Sequence, residues 1–589
     1  MAQAAPKEPA TPAMDWVPPQ AMEDTLRAEG GEVTIPEITI TPTPKVTADT
    51  AKFTKEYRID PAKFGIFTDC THAAETSKGL NAALQDAKTV GANHIIFPKG
   101  TFLIDENDPI ILDHQNTIVD LNAAILQIQT NGLPKYSIVV IVNGAKNLRL
   151  TNGTLSGDRR SHDYKTVPGT HEWGGGVRFA SGLGVEVDHL TITNMTGDGV
   201  ATEVFGTRTR PEMLARIFYS IMAKDIESGG FSEKGEKIPT PDKVRSIAPY
   251  DLSKTGGEFE IGYMAGYMGF PFIKSRVYQV YFLDADKRFL EKQAVLQYRK
   301  VKLPPNARFA YLEFNQSEVS DEPAHAGAAK GSWLVRITNT ASPRDVHLHD
   351  NLIISNRRLG LAFTGGQRWL IENNRFEYNG GTNPAYGVDF EDGAEMMQDV
   401  VFRKNSFKDN VNGDLVVCAG TELLFEDNIF QKSVVFWGRP HNYVFHRNQF
   451  NGGSVIYATR TGIATIRDNV YKNCKVKVKF DTKAVADGID REPGHAVSTP
   501  ALLLQNETMD NVPVVEGTYL NFKDSRFTNT TFRVDDLTKM VKFEGCTFED
   551  STIDYSEKGP GLPVSVKNNR GTLAETGGGL SRKNSQPTP

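Results

Sequence analysis

Cysteine is scarce: Cys70, Cys418, Cys474 and Cys546 are the only four in 589 residues. None falls in a CxxC or Cys/His spacing, which argues against structural zinc. So low a density also argues against a disulfide scaffold, and all four read as small buried hydrophobes. No run of about 18 apolar residues occurs, so no membrane span is expected. The opening MAQAAPKEPATPAMDW has no apolar core behind a basic start, so no secretory signal is expected either. Net charge is only −6, which gives no support for nucleic-acid or membrane-surface binding. No nucleic-acid-binding motif is present.

What is present is a chain able to pack. Hydrophobic residues make up 39% and charged residues 23%, which suits a folded core. The 52 glycines suit many tight turns. Residues 1–52, rich in Pro, Thr, Ala and Glu (TIPEITITPTP), read as an extended arm, either an attachment or oligomerisation segment or simply disordered. From 77 to 87, Leu80, Ala83, Leu84 and Ala87 keep helical spacing behind a cap at Ser77. Strands are expected at 94–97 and 101–104, around the Pro98-Lys99-Gly100 turn. A helix placed there would cover the open end of a repeat array.

Repetition is the main signal. A short unit, apolar-x-apolar followed by polar residues with Asn and then an aromatic or aliphatic residue, recurs as HLHDNLII, WLIENNRF, VVFRKNSF, LLFEDNIF, YVFHRNQF and ATIRDNVY. Its Asn falls at 351, 374, 405, 428, 448 and 469, and later copies place Ser525 and Cys546 in the same slot. Spacings of 20 to 31 residues fit one β-helix coil with three short strands and fall below the roughly 33–47 residues of helical repeats. The Asn slot fits a turn residue that tolerates left-handed geometry and hydrogen-bonds to the coils above and below. Two upstream copies lie at 147–157 and 184–200; the pattern then stops, and alternating segments such as YQVYFLDADKRFLEKQAVLQYRKVKL read as an inserted antiparallel β-sandwich over 206–340. The expected fold is all-β: a right-handed parallel β-helix over 53–205 and 341–570, with an N-terminal cap helix, the inserted sandwich, and a flexible tail over 571–589. Aromatics in the insert, among them Tyr263, Tyr267, Phe270, Phe272, Tyr278, Tyr281 and Phe282, are either sugar platforms or core.

A packed interior leaves function to the outer face and its loops. Strands stacked about 4.8 Å apart make the repeat alignment a ruler. Aligning TNMTGDGVA, SNRRLGLAF, YNGGTNPAYGVDFED and DNVNGDLVV sets Asp198 near Gly360, Asp389 and Asp414. Asp198 and Asp389 are then two coils apart, roughly 10 Å, and Asp389 neighbours Asp414. The loop GDRRSHDYKTVPGTHEWGGGVRF gathers further acids and histidines. Glycoside hydrolysis needs one protonated and one ionised carboxyl, and clustered acids raise one member's pKa. The acid–base candidates are Asp198, Asp389 and Glu391, with Asp158, His171 and Glu172 completing the site. Substrate-binding candidates are Trp173, Arg159, His162, Arg178, Tyr386, Asp392, Asp414, Arg358, Trp437, Arg439 and His441. Outward arginines on successive coils suit the carboxylates or phosphates of an anionic polymer. For any single Asp the competing role is to cap a turn, and for Arg357 and Arg358 it is an ordinary surface salt bridge. No metal or cofactor is assigned, although clustered acids would suit Ca²⁺ if the chemistry were elimination.

The stretch FGIFTDCTHAAETSKGLNAALQDA with IIFPKGTFLI resembles the cap and first coils of pectate-lyase-like β-helix proteins. The motifs GDRRSHDY, HEWGGGV, TGDGV, YGVDFEDG, NGDLVV and WGRPHNY together resemble a tail-associated subgroup from phages and prophages of Gram-positive bacteria. This resemblance spans about 60–560. It implies a particle-borne protein, frequently trimeric, joined to virion tail or baseplate proteins and released by lysis. Its target would be capsular polysaccharide, teichoic acid or a secreted glycan. Asp198 sits in Gly-Asp-Gly, not in the double Asp of polygalacturonase-type hydrolases. Tyr386-Gly387-Val388-Asp389 matches the first half of an alginate-epimerase motif, but Phe390-Glu391-Asp392 lacks its histidine. Two functions follow as expectations. One is a glycan or teichoic-acid depolymerase acting by hydrolysis, with lyase or epimerase chemistry as its variant. The other is a non-catalytic receptor-binding fibre.

Overall fold

The computed structural model describes residues 53–202, 217–262, 277–296, 300–315, 335–338, 343–391, 397–437, 440, 443–459, 464–480, 502–536, 538, 540–555, 564–576 and 582–585. The expected arm over 1–52 lies outside the described residues. The molecule is a right-handed parallel β-helix whose coils each contribute three short strands to three parallel stacks. The first stack runs through Gln115–Asp120, Lys146–Ser156, Leu183–Thr193, Arg344–His349, Gly366–Glu372 and Met397–Arg403. The long strands Lys146–Ser156 and Leu183–Thr193 bend into the second stack, which continues through Leu352–Ile354, Arg375–Glu377 and Ser406–Lys408. The third contains Lys135–Ile141, Trp173–Phe179, Val200–Thr202, Leu361–Phe363, Tyr386–Phe390 and Gly413–Val417.

Side-chain alternation builds the interior. The aromatic that closes each repeat unit points inward, so Phe376, Phe407, Phe430, Phe450 and Tyr471 form a column with ring centroids 5.3, 5.0, 5.3 and 5.0 Å apart. Individually weak dispersion contacts add up along such a column. Beside it runs the asparagine ladder. Asn374 donates to Leu348 O on the preceding coil at 2.8 Å and to Asn405 Oδ1 on the next at 3.2 Å; Asn405, Asn428 and Asn448 repeat the pattern. The left-handed residue is the one before each ladder position: Asp350, Asn373, Lys404, Asp427, Arg447 and Asp468 have φ between 53° and 61°. The expectation that the ladder Asn itself takes this geometry is therefore corrected by one residue. A left-handed residue turns the chain so that the next side chain enters the interior, where an amide can both donate and accept along the stack.

The cap helix spans Ala73–Thr89. It starts four residues before the expected cap, and buried Ser77 is internal, its Oγ accepting from Asp105 N at 2.9 Å. None of the four cysteines forms a disulfide; Cys474 and Cys546 are buried, whereas Cys70 and Cys418 are half-exposed. Among its described residues the inserted segment forms two larger antiparallel sheets and a small two-stranded one, Gly230–Phe231 with Lys237–Ile238. Of the larger two, one joins Ile217–Ile221, Val335–Thr338, Glu258–Gly262 and Lys300–Lys302; the other is built on Lys243–Ser246, Phe309–Asn315, Val277–Leu283 and Phe289–Leu296. Their facing side chains, including Ile221, Phe259, Val244, Tyr278 and Phe282, make one apolar cluster separate from the helix core. Tyr278, Tyr281 and Phe282 are thus buried, not sugar platforms; Tyr263, Tyr267, Phe270 and Phe272 lie outside the described residues. The insert occupies the turn between Val200–Thr202 and Arg344–His349, while Leu183–Thr193 pairs directly with Arg344–His349. The coils on either side therefore remain stacked. At the other end, Arg570–Thr576 pairs antiparallel with Arg582–Ser585, so these parts of the expected flexible tail form a hairpin.

Candidate functional site

The third stack carries the chemistry-bearing face. Its register aligns Arg178, Ala201, Ala362, Asp389 and Val416 on consecutive coils. The next residue back along each strand, Val177, Val200, Leu361 and Val388, faces the core. Asp389 is thus level with Ala201 and Ala362. Asp198, two residues before Val200, is level with Leu359, whose carbonyl accepts from Gly199 N at 2.9 Å. Relative to Asp198, the register differs from the expected alignment by one residue at Gly360 and Asp414 and by three at Asp389, because the coils differ in the loop before the third strand. The two-coil separation of Asp198 from Asp389 holds. Between Arg178 and Asp389 the floor is apolar: Ala201, Leu359 and Ala362 cluster, with Tyr386 packed against them.

At the edge of this floor Arg358 joins two acids. Its Nη1 donates to Asp198 Oδ2 at 3.2 Å and its Nη2 to Glu391 Oε1 at 2.9 Å. Asp198 and Arg358 are buried, and Glu391 is partly accessible. Burial pushes the Asp198 carboxyl up to about 6, the nearby Glu391 charge adds to this, and Arg358 opposes it. Burial also pushes the Arg178 guanidinium down to about 10, with Asp198 pulling the other way. Arg178 is fixed by Ser137 Oγ and Trp173 O, each at 2.8 Å. The indole of Trp173, 44% exposed, has Arg358 at 6.0 Å and Lys135 at 5.9 Å from its centroid. Asp389 is buried and accepts from Cys418 Sγ at 3.9 Å. Burial and the Asp389 charge both raise the Tyr386 hydroxyl.

The Gly-Asp-Gly motif follows from coil packing. A Cβ at Gly197 would stand 2.0 Å from Glu172 O, and one at Gly199 only 2.6 Å from Ile353 Cγ2. Only glycine lets the chain pass between its neighbours there, and Asp198 is held in place between them.

The loop over 157–172 plays a different part from the one expected. Asp158, His162 and His171 are buried and form a chain: Asp158 Oδ2 to His162 Nδ1 at 2.7 Å, His162 Nε2 to His171 Nδ1 at 2.8 Å, and His171 Nε2 to Val167 O at 2.8 Å. Asp158 also accepts from Tyr136 OH at 2.8 Å and from Asn131 N at 3.0 Å. With every hydrogen-bonding position used internally, the three residues are a loop scaffold, not the acid, base and sugar contact expected of them. Arg159 likewise donates to the carbonyls of Ser355 and Gly380, both at 2.7 Å, so it staples the loop to later coils instead of reaching a polymer. Arg357 donates to Thr170 O and Thr196 O at 3.0 and 3.3 Å and lies over the Tyr164 ring at 4.6 Å. Glu172, half-buried, follows this loop beside Gly197.

Asp414 is corrected as well. It is fully buried and ends a second amide ladder (Asn356, Asn379, Asn410): it accepts from Asn410 Nδ2 at 3.2 Å and from the amides of Gln431 and Lys432 at 2.6 and 2.7 Å. Tyr457 is wholly interior. Trp437 is 56% exposed at the end of Val434–Phe436, a third-stack strand two coils beyond Tyr386–Phe390. Asp392, Arg439 and His441 lie outside the described residues. The structure thus brings together Asp198, Arg358, Glu391, Arg178, Trp173, Asp389 and Tyr386. It adds Cys418, Ala201 and Ala362, which the alternation rule could have found once the register was anchored on the inward pairs.

A family model described as a right handed beta helix region matches residues 337–430. The chain is 27% identical over 186 residues to the SPbeta prophage-derived uncharacterized protein YorA of Bacillus subtilis, covering 29% of this chain and 31% of that protein. It is 28% identical over 170 residues to the uncharacterized protein YclG of the same organism, covering 27% of this chain and 29% of that one. The matches therefore span less than a third of these relatives' length. Among solved structures, the mannuronan C-5 epimerase AlgE6 A-module of Azotobacter vinelandii aligns with a TM-score of 0.41 at 12% identity, over 87% of this chain and 98% of that one.

Proposed function

We propose that this protein is a carbohydrate-active enzyme of a phage tail that depolymerises a host cell-surface polysaccharide or teichoic acid. The observation that carries the reading is the pair of carboxyls, Asp198 and Glu391, held on either side of Arg358 on the outer face of the third stack. Two contacts to one planar guanidinium keep their facing oxygens within about 8 Å, a span compatible with glycosidase carboxyl pairs. Their environments differ as acid and base roles require. Asp198, buried and pushed up to about 6, suits the general acid, while Glu391, the more accessible, suits the base or nucleophile. Trp173 offers an exposed ring for a sugar face, and Trp437 a second platform along the same stack. The prophage origin in the name of one relative supports a virion setting, in which a homotrimer bound to tail or baseplate proteins acts outside the host cell.

Incubation with host cell-wall and capsule fractions, followed by sizing of the polymer, tests the proposal. Shorter chains with new reducing ends support hydrolysis, and unsaturated ultraviolet-absorbing ends support elimination. Binding with unchanged polymer length would replace the enzyme reading with a receptor-binding fibre.

A further inference from the structure

A second cluster of chemically capable side chains lies on the first stack, away from the face described above. Glu186 on Leu183–Thr193 is in register with His347 on Arg344–His349, one coil on. His349 is two residues further along the same strand, so both imidazoles share one face; their rings stack at 3.8 Å. One ligand atom from each of Glu186, His347 and His349 lies within 4.8 Å of the others.

Two features distinguish this cluster from ordinary ion pairing. Glu186 and His347 are each 3% exposed, yet Glu186 Oε2 and His347 Nδ1 have no hydrogen-bond partner among the described residues. Buried polar atoms are almost always satisfied, so such orphans call for an explanation. The other nitrogen of His347, Nε2, is engaged by Glu372 Oε1 at 2.9 Å. A carboxylate accepting from one ring nitrogen leaves the lone pair on the other, which is how metal-ligating histidines are oriented. Similarly, Asp350 Oδ2 takes His349 Nδ1 at 2.6 Å and directs Nε2 to Glu186 Oε1 at 3.0 Å. A cation bound there would replace the proton of that last contact and use both orphans.

We infer that Glu186, His347 and His349 form a site for a borderline divalent transition metal of the zinc type. Two imidazoles and one carboxylate are the donor set such ions take, leaving one position for water; Ca²⁺ and Mg²⁺ prefer all-oxygen sites. The site has a structural consequence. Glu186 belongs to the last coil before the long insert and the two histidines to the first coil after it. A shared ion would clamp the two coils at the point where the chain leaves the helix for more than a hundred residues, a closure that otherwise costs entropy. This inference does not depend on the proposed enzymatic function.

The test uses the untagged full chain, freed of metal by chelation. Titration with Zn²⁺ and with Co²⁺ should show one ion per chain, and Co²⁺ should give the visible absorption of a four-coordinate nitrogen–oxygen site. Glu186→Gln and His347→Ala should abolish stoichiometric binding. Glu372→Gln, which removes only the orienting carboxylate, should weaken it about 10–100-fold. Zn²⁺ should raise the thermal midpoint of the wild type and not that of Glu186→Gln. Because wild-type binding is read directly, a variant that fails to fold leaves the inference open to refutation. Absence of stoichiometric binding by the wild type, or Ca²⁺ binding that matches Zn²⁺, overturns it. So does undiminished binding by His347→Ala.

Discussion

Glu507 is a buried carboxyl at a position of the first ladder, and replacing it with glutamine should stabilise the protein in a pH-dependent way. It follows Asn469, whose side-chain amide donates to Glu507 Oε1 at 3.2 Å, and its own amide donates to Ser525 Oγ at 3.1 Å. Its carboxyl is fully buried beside Tyr471 and Tyr457, and burial pushes it from 4.5 up to about 8. Each tenfold displacement of an ionisation equilibrium is worth about 1.4 kcal/mol, so keeping the ionised form folded costs on the order of 5 kcal/mol. The sign follows from the order of the two values. Below about 4.5 both folded and unfolded chains hold the proton and nothing is lost. As pH rises towards 8 the unfolded chain releases it first, and stability falls; above 8 the loss is complete. Glu507→Gln keeps an acceptor for Asn469 and removes the charge. Guanidinium unfolding monitored by circular dichroism at about pH 5 and about pH 8 should show similar midpoints for the two proteins at the lower pH and a clearly higher one for the variant at the upper. A gap that does not widen with pH would refute the reasoning, as would a less stable variant at the higher pH.

Asn405→Ala should destabilise more generally, because Asn374, Asn428 and Ile371 O each lose a partner; a loss of about 3 kcal/mol or more in denaturant unfolding is expected from buried groups left unsatisfied. Arg357→Ala should release the loop over 157–172 from the coils, seen as faster amide hydrogen exchange at 162–171 with the strands of the third stack unchanged. Trp173→Ala should raise the KM for a polymeric substrate several-fold with a smaller effect on kcat, since an exposed ring contributes binding along the chain.

Much of the fold was legible because the repeat unit encodes it twice, through inward aromatics such as Phe407 and Phe430 and through amides such as Asn405 and Asn428. Asn suits a left-handed turn, but what fixes Asn405 is its amide, and the turn falls on Lys404. In the candidate site, the grouping of Asp198 with Glu391 could be reached by counting coils, because the insert interrupts the chain and not the stack. The part of Arg358 could not, since a salt bridge between residues 160 and 33 positions away leaves no local pattern. Nor could the burial of Asp158, His162 and His171: in sequence they look like exposed loop acids and bases, and only the carbonyls and hydroxyls that surround them decide otherwise. The pair His347 and His349 was hidden for the opposite reason, lying in HLHDNLII, where the repeat accounts for every residue.

The most direct measurement is the rate at which new reducing ends appear when the protein acts on a host surface polymer, followed against pH for the wild type, Asp198→Asn and Glu391→Gln. If Asp198 donates the proton, the wild-type rate falls as pH rises through about 6, and each variant, still folded by circular dichroism, is slower by about 10²–10⁴-fold. Undiminished cleavage by both variants, or no shortening of any surface polymer by the wild type, would contradict the assignment of this site.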